Sequence, residues 1–259
     1  ALSDSRPAVH LIESNFRNLG RELPAIGIES IGGALFDLGW SSYQLDAGRG
    51  FSFLRDEPLL MTYGKEGGLT AQSIVNRWEE ESLADIIYGW GEERYSRRIA
   101  KAIVDAREEK PFETALELAE TIKAAVPPAY RFGRIRPATR TFQALRIAVN
   151  DELGELERAL DAAEEVLGEG GRLAVVTFHS LEDRIVKRFM AERAGDTPDP
   201  SRHMPMGARP AATFETLRRK PIDPSAEEIA DNPRARSARL RVARRTAAPA
   251  RKASPKGRR

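Results

Sequence analysis

The hydrophobic positions of this chain change period several times, and each change marks an element. Val9–Ile12 is a short apolar run that reads as a strand, and Ile31–Leu38 reads as a second. A short helical connection between them makes this βαβ grammar. Trp40–Gly68 loses the pattern, with Gly, Ser, Asp and aromatic residues in no fixed order. Loops of that length in compact domains are usually functional or disordered. From Leu69 to Val126 the period is helical. Ile74, Val75 and Trp78 make one face; Leu83, Ile86, Ile87 and Trp90 another; Tyr95, Ile99, Ala102, Ile103 and Ala106 a third. Thr114 and Glu117 have capping-box spacing for a fourth helix, which stops at Pro127-Pro128. Short helices without strands predict a small helical domain inserted into an α/β body, with Pro127–Pro137 as the return linker.

Thr139–Leu167 carries the longest helical pattern, Leu145, Val149, Leu153, Leu156, Leu160, Ala163 and Leu167 recurring at spacings of three and four. After Gly170-Gly171 the run Leu173–Phe178 is apolar on both faces, as a strand inside a parallel sheet is. It ends on His179. Ser180 then opens a helical pattern, with Asp183 three residues on as its capping partner. This hydrogen-bonding cluster therefore sits where a strand hands over to a helix, the edge at which open α/β sheets bind ligands. A well-capped helix with a merely satisfied His179 is the other reading these residues allow. Gly195–Ala212 is a Pro/Gly-rich loop. Phe214–Ile222 and Ala238–Ala243 read as closing strands, with Arg239 and Arg241 alternating with Leu240 and Val242 as on a half-exposed strand.

Composition narrows the class. The chain has 259 residues, 41% of them hydrophobic, enough for a full core. It has no cysteine, which removes disulfides and thiolate metal sites, and its three scattered histidines supply no zinc set. No run approaches the roughly 20 apolar residues of a membrane span. No signal peptide is visible, and the expected setting is the cytoplasm. The net charge of +2 hides an asymmetry: eleven Lys/Arg and no Asp/Glu follow Asp231, leaving 30 basic and 39 acidic residues before it. A basic tail on an acidic body points to a polyanion partner. Ala247–Arg259, rich in Ala, Pro, Arg and Lys, reads as a disordered tail with loose phosphate contact.

Five segments stand out in order. They are Phe36-Asp37-Leu38-Gly39-Trp40-Ser41-Ser42-Tyr43-Gln44-Leu45-Asp46; Arg49-Gly50-Phe51-Ser52-Phe53; Pro137-Ala138-Thr139-Arg140-Thr141-Phe142-Gln143-Ala144-Leu145-Arg146; Phe178-His179-Ser180-Leu181-Glu182-Asp183-Arg184; and Asn232-Pro233-Arg234-Ala235-Arg236-Ser237. Together with the phrase Tyr88–Ile99, they resemble the bacterial 16S ribosomal RNA cytosine-N4 methyltransferases, the RsmH (MraW) family. Any one motif is weak; all of them in sequence over almost the whole chain are specific.

That resemblance implies a cytoplasmic enzyme that uses S-adenosylmethionine to methylate the exocyclic amine of a decoding-region cytidine. It implies a Rossmann-like class I methyltransferase sheet with an inserted all-helical domain. The expected division is a first part of the body over 1–68, a helical insert over 69–136, a second part over 137–246 and the tail over 247–259. By the family's pattern Phe16 packs on the adenine, while Asp37 and Gln44 contact the cofactor. Physically, Phe16 offers a flat apolar face, and Asp37 accepts from an amine or faces a sulfonium. Asp37 is the leading catalytic candidate; His179 is a second, as proton acceptor or as a residue that orients its loop. Arg140, Arg184, Arg234 and Arg236 are candidate RNA contacts, alongside Arg146 and Lys187. The aromatic residues of Trp40–Phe53 either hold a target base that has left its stack or pack the loop. The partner implied is 16S rRNA in the small ribosomal subunit, with a homodimer compatible and no membrane or metal.

The chain also departs from the family. A Gly-rich cofactor loop and an acidic ribose-binding residue are not found, and the chain opens on Ala1 before what reads as the family's third strand. An N-terminally incomplete sheet is the expectation, and with it a chain that by itself binds S-adenosylmethionine weakly or not at all. Pro58-Leu59-Leu60-Met61-Thr62-Tyr63-Gly64 replaces the family's Pro-Leu-Asp-Met-Arg-Met-Asp, and Arg136 replaces a histidine. A non-catalytic RNA-binding or assembly factor on the same scaffold is the alternative function.

Overall fold

A computed structural model describes residues 8–39, 42–64, 68–133, 135–196 and 210–251. A 3-10 turn at Phe16–Asn18 leads into α1 (Leu19–Ala25) and β1 (Ile31–Asp37). Then come α2 (Ser42–Leu45), α3 (Ala71–Arg77), α4 (Glu80–Gly89), α5 (Ser96–Glu109), α6 (Ala115–Ala125), α7 (Pro128–Arg131), α8 (Ala138–Asn150) and α9 (Glu152–Val166). The chain continues through β2 (Leu167–Thr177), α10 (Ser180–Ala194), β3 (Phe214–Thr216), α11 (Ala226–Asp231), a 3-10 turn at Pro233–Ser237 and β4 (Arg239–Arg245). Two compact units result: Ala1–Leu38 with Gly154–Arg259, and Gly39–Leu153. No helix among the described residues is long and apolar enough to cross a membrane.

The first unit holds a mixed sheet in the order β1-β2-β4-β3. β1 and β2 are parallel, from Ile31 opposite Leu167 to Asp37 opposite Val176; β4 runs antiparallel to both β2 and β3. β2 starts earlier than its apolar run suggested, because Gly168–Gly171 bulges between two paired stretches. A Cβ on Gly171 would lie 2.8 Å from the Gly168 carbonyl, so the bulge needs glycine there. Leu156, Leu160, Leu173, Val175, Val186, Phe189 and Phe214 share the core of this unit.

Three sequence expectations are corrected in this unit. Val9–Ile12 is not a strand: Val9 is 80% and Leu11 95% exposed, and no described strand pairs with them. An apolar run becomes a strand only where a neighbour accepts its hydrogen bonds. The alternation on β4 is also inverted in part, since Arg241 is buried while Arg239 is exposed. Finally, the start of the tail is held. Arg251 donates from its backbone to the buried Glu164 carboxylate at 3.1 Å and from its guanidinium to the Glu192 and Ala211 carbonyls at 3.0 and 3.1 Å. Residues 252–259 lie outside the described residues, as does 197–209 of the Pro/Gly-rich loop.

The second unit is helical and runs from Gly39 to Leu153, past both ends of the segment 69–136. Leu59, Met61, Ile74, Leu83, Ile87, Ile99, Ile103, Leu118, Ile122 and Leu145 form one core. The Thr114–Glu117 capping box is present, with a second at Thr70–Ser73. The long helical pattern from Thr139 is broken in two. Asp151 takes a left-handed conformation (φ 48°), and Asn150 turns its side chain onto the Met61 and Arg146 carbonyls. The expected loop packs in as well. Phe51 stacks on Tyr63 at 5.6 Å, and Phe53 meets Phe142 edge-on at 5.3 Å, whereas Tyr43 is exposed. Trp40 and Ser41 lie outside the described residues. In the altered segment, the carbonyls of Thr62, Tyr63 and Gly64 all accept from Arg49 Nη1, at 2.9–3.1 Å.

Candidate functional site

Parallel strands deliver their carboxyl ends to one edge of a sheet. The Leu38 N–H donates to the Val176 carbonyl at 3.1 Å, so Asp37 and the Phe178-His179 corner emerge side by side. Asp37 is exposed. Behind it Phe36 is buried, and its ring receives Phe16 edge-on at 5.5 Å. Asn15 caps the turn that carries Phe16, accepting from the Arg17 N–H at 3.0 Å. Phe16 stays 37% exposed, leaving part of its ring open. Gln44 lies on α2 in the helical unit and is half-buried.

The corner after β2 is fixed by a capping box one residue earlier than expected. His179, not Ser180, is the N-cap of α10, and Glu182, not Asp183, is its partner. Glu182 accepts from the Phe178 and His179 N–H groups at 2.8 and 3.2 Å, and its own N–H donates to His179 Nδ1 at 3.4 Å. His179 Nε2 lies 3.1 Å from the other Glu182 oxygen. With Nδ1 accepting, the ring proton is assigned to Nε2, which is buried and close to the carboxylate but makes no hydrogen bond among the described residues. Burial pushes the Glu182 carboxyl up, but His179 and the two backbone donors outweigh it and hold it below its usual range.

Asp183 is left for another task. It bridges Arg241 and Arg239, and although burial raises its carboxyl, the two guanidinium groups bring it below the usual aspartate range. Sequence reasoning missed Glu182 and Arg241. The signal for Glu182 was its position three residues after the true cap. Arg241 had no local signal, since Asp183 is remote in sequence.

A cavity of about 470 Å³ opens at this corner, lined by Phe178, His179, Ser180, Asp223, Arg236 and Arg239. Two residues expected to act in the site, His179 and Arg236, thus share one wall. Arg234 is in the same 3-10 turn as Arg236 and is exposed, and Arg184 is exposed on α10. Arg140 belongs to the helical unit, near the start of α8, where its Nη1 donates to the Tyr130 hydroxyl at 3.3 Å and lies 3.9 Å from Glu93. Arg146 is bonded to Glu152 at 2.8 and 3.0 Å.

An exposed aspartate, a partly open aromatic ring and a cavity lined by Arg236, Arg239 and Asp223 thus lie near the carboxyl ends of the parallel strands, the edge at which open α/β sheets bind ligands. Residues 1–246 match the sequence profile described as the MraW methylase family. A Paramagnetospirillum magneticum protein named ribosomal RNA small subunit methyltransferase H is 55% identical over 244 residues, covering 93% of this chain and 76% of the relative. Proteins of the same name from Caulobacter vibrioides and Bradyrhizobium diazoefficiens are 55% and 54% identical, covering 92% and 93% of this chain and 76% and 73% of their own.

Proposed function

The chain belongs to the MraW methylase family, and from that premise we propose that it transfers the methyl group of S-adenosylmethionine to the N4 amine of a cytidine in 16S ribosomal RNA, within the small subunit. It is a methyltransferase, and its relatives carry the name of a small-subunit ribosomal RNA enzyme. The body is read as a class I methyltransferase sheet, and the cytoplasm is the compartment that fits.

The cofactor has a purine at one end and a sulfonium beside an amino acid at the other. Phe16 suits the first, with a ring braced by Phe36 and partly open. Asp37 suits the second, as an exposed carboxylate at the strand end. Gln44 is assigned with them on the family's pattern. When bound, the cofactor supplies an electrophilic methyl group.

The residues of the chain supply position and proton handling. The cytosine N4 lone pair is delocalised into the ring, so the amine must be aligned and relieved of a proton as the bond forms. Asp37 is the acceptor we assign, because its carboxylate is open to an incoming amine. His179 is assigned as a positioning residue. Its Nδ1 already accepts from the helix and its Nε2 faces Glu182, so it orients the corner rather than taking the proton. Arg236 in the cavity wall, with Arg234, Arg184 and Arg140, is assigned to RNA phosphates.

The observation that carries this reading is the placing of Asp37 and the His179–Arg236 cavity at neighbouring strand ends. Mass spectrometry of small-subunit rRNA from a strain lacking the modification, after incubation with the protein and S-adenosylmethionine, tests it. N4-methylcytidine at one position is the expected product. Its absence, or methyl on another base, overturns the reading.

A further inference from the structure

The phrase Tyr88–Ile99 builds an unusual corner in the helical unit. Glu93 is completely buried, accepting from the Tyr95 N–H at 2.9 Å and the Tyr130 hydroxyl at 2.6 Å. The two tyrosine rings meet edge-on at 5.0 Å, and the Arg94 guanidinium lies over both, 4.8 and 5.1 Å from their centres. Arg140 reaches the same Tyr130 hydroxyl while still about one-third exposed. Gly91 makes room for this, since a Cβ there would lie 2.6 Å from the Arg140 carbonyl. One buried carboxylate and two rings therefore fix two guanidinium groups.

Two more follow on α5. Arg97 and Arg98 are exposed in its first turn, which contains no acidic residue. Cations are disfavoured there by the helix dipole. Among the described residues, no carboxylate is within ion-pair distance of Arg94, Arg97 or Arg98. One turn on, Lys101 does find Asp105, at 3.1 Å. Local rules broken without compensation among the described residues point to an external partner. Arginine's planar fork matches phosphate oxygens, and arginine stacked on tyrosine suits a nucleic-acid backbone.

We propose that Arg94, Arg97, Arg98 and Arg140 form an RNA-phosphate contact surface on the helical unit, held in shape by Glu93, Tyr95 and Tyr130. This rests on the proposed rRNA function and adds to it the face that grips the RNA backbone. The surface reads charge and spacing, not base identity.

The test is binding of small-subunit rRNA by the full chain and by the paired variant Arg97→Gln/Arg98→Gln over a salt series. Lys101→Gln serves as control and circular dichroism reports folding. Each lost phosphate contact lowers the slope of log affinity against log salt by about 0.7–0.9. The paired variant is expected to flatten the slope by about 1.5 units and weaken binding about tenfold near physiological salt. Its KM for RNA rises and its kcat holds, while Lys101→Gln matches the parent. A folded paired variant with unchanged slope and affinity overturns the surface and leaves the rRNA reading standing. A parent chain that binds no rRNA overturns both.

Discussion

Asp183 and Arg241 close a two-pronged bridge between α10 and β4, with Oδ1 2.6 Å from Nε and Oδ2 3.1 Å from Nη2. Both side chains are about nine-tenths buried, and the arginine is anchored further on the Arg219 carbonyl at 3.3 Å. The bridge ties the helix that starts at His179 to the strand that follows Arg236.

Removing one partner leaves the other charged and buried. Asp183→Ala should cost about 3 kcal/mol or more in unfolding free energy. Urea denaturation measures this, and a loss below about 1 kcal/mol would mean that Arg241 finds another anion.

Four carboxyl groups are held below their usual range, Glu22, Glu117, Glu182 and Asp183, and of these Glu182 and Asp183 are the buried ones that contribute to the acid limb of stability. A group whose folded pKa is depressed stabilises the fold above its unfolded pKa. That contribution fades as pH falls through the folded value. Stability should therefore decline below about pH 5. Glu182→Gln/Asp183→Asn should be less stable at neutral pH and show a shallower decline. Parallel acid limbs for parent and variant, by denaturant titration at each pH, would disprove this linkage.

His179→Asn keeps a side chain able to cap α10, whereas His179→Ala does not and should lose about 1 kcal/mol. If His179 only positions the corner, the asparagine variant should retain kcat within about threefold and show the parent's pH profile. A general base lost there would cost roughly a hundredfold or more. Steady-state rates across pH separate the two roles.

In a version that carries the family's Gly-rich cofactor loop, Asp37→Ala should abolish methyl transfer while leaving the melting temperature within a few degrees, because the residue is exposed and its loss opens no cavity. Normal N4-methylcytidine from this variant would remove Asp37 from the chemistry.

Deleting residues 247–259 removes the Arg251 bonds to Glu164, Glu192 and Ala211. The expected result is a loss of about 1–3 kcal/mol together with weaker binding to all RNAs alike. Product mapping should find the same cytidine methylated, and a new target base would contradict the assignment of the tail to phosphate contact.

The helical unit was legible because its information is local: period, caps and the Pro127-Pro128 stop all lie within a few residues of what they control. The break at Asp151 was not. Leu145, Val149, Leu153 and Leu156 keep helical spacing straight through it, and only the demands of the Met61 carbonyl and Tyr63 N–H on Asn150 show why the chain turns. Asp37 and His179 were placed correctly at strand ends because strand-to-helix grammar is also local. Which residue caps α10 was misread because serine is the commoner cap. Arg241 was misread because alternation along a strand carries no trace of a carboxylate on a distant helix. Val9–Ile12 failed for the same reason: hydrophobicity proposes a strand, and only a neighbour can complete it.

β1 and β2 are adjacent in the sheet, yet the whole helical unit is translated between them. At about 5–20 residues per second, β1 leaves the ribosome on the order of ten seconds before β2 exists to receive its hydrogen bonds. The helices, built from near-neighbour contacts, have time to fold in that interval, and the chain that later closes the sheet is then shorter in effect than its residue count. Synthesis order itself thus favours finishing the helical unit first, and leaves β1 as the segment most in need of protection while the chain is being made.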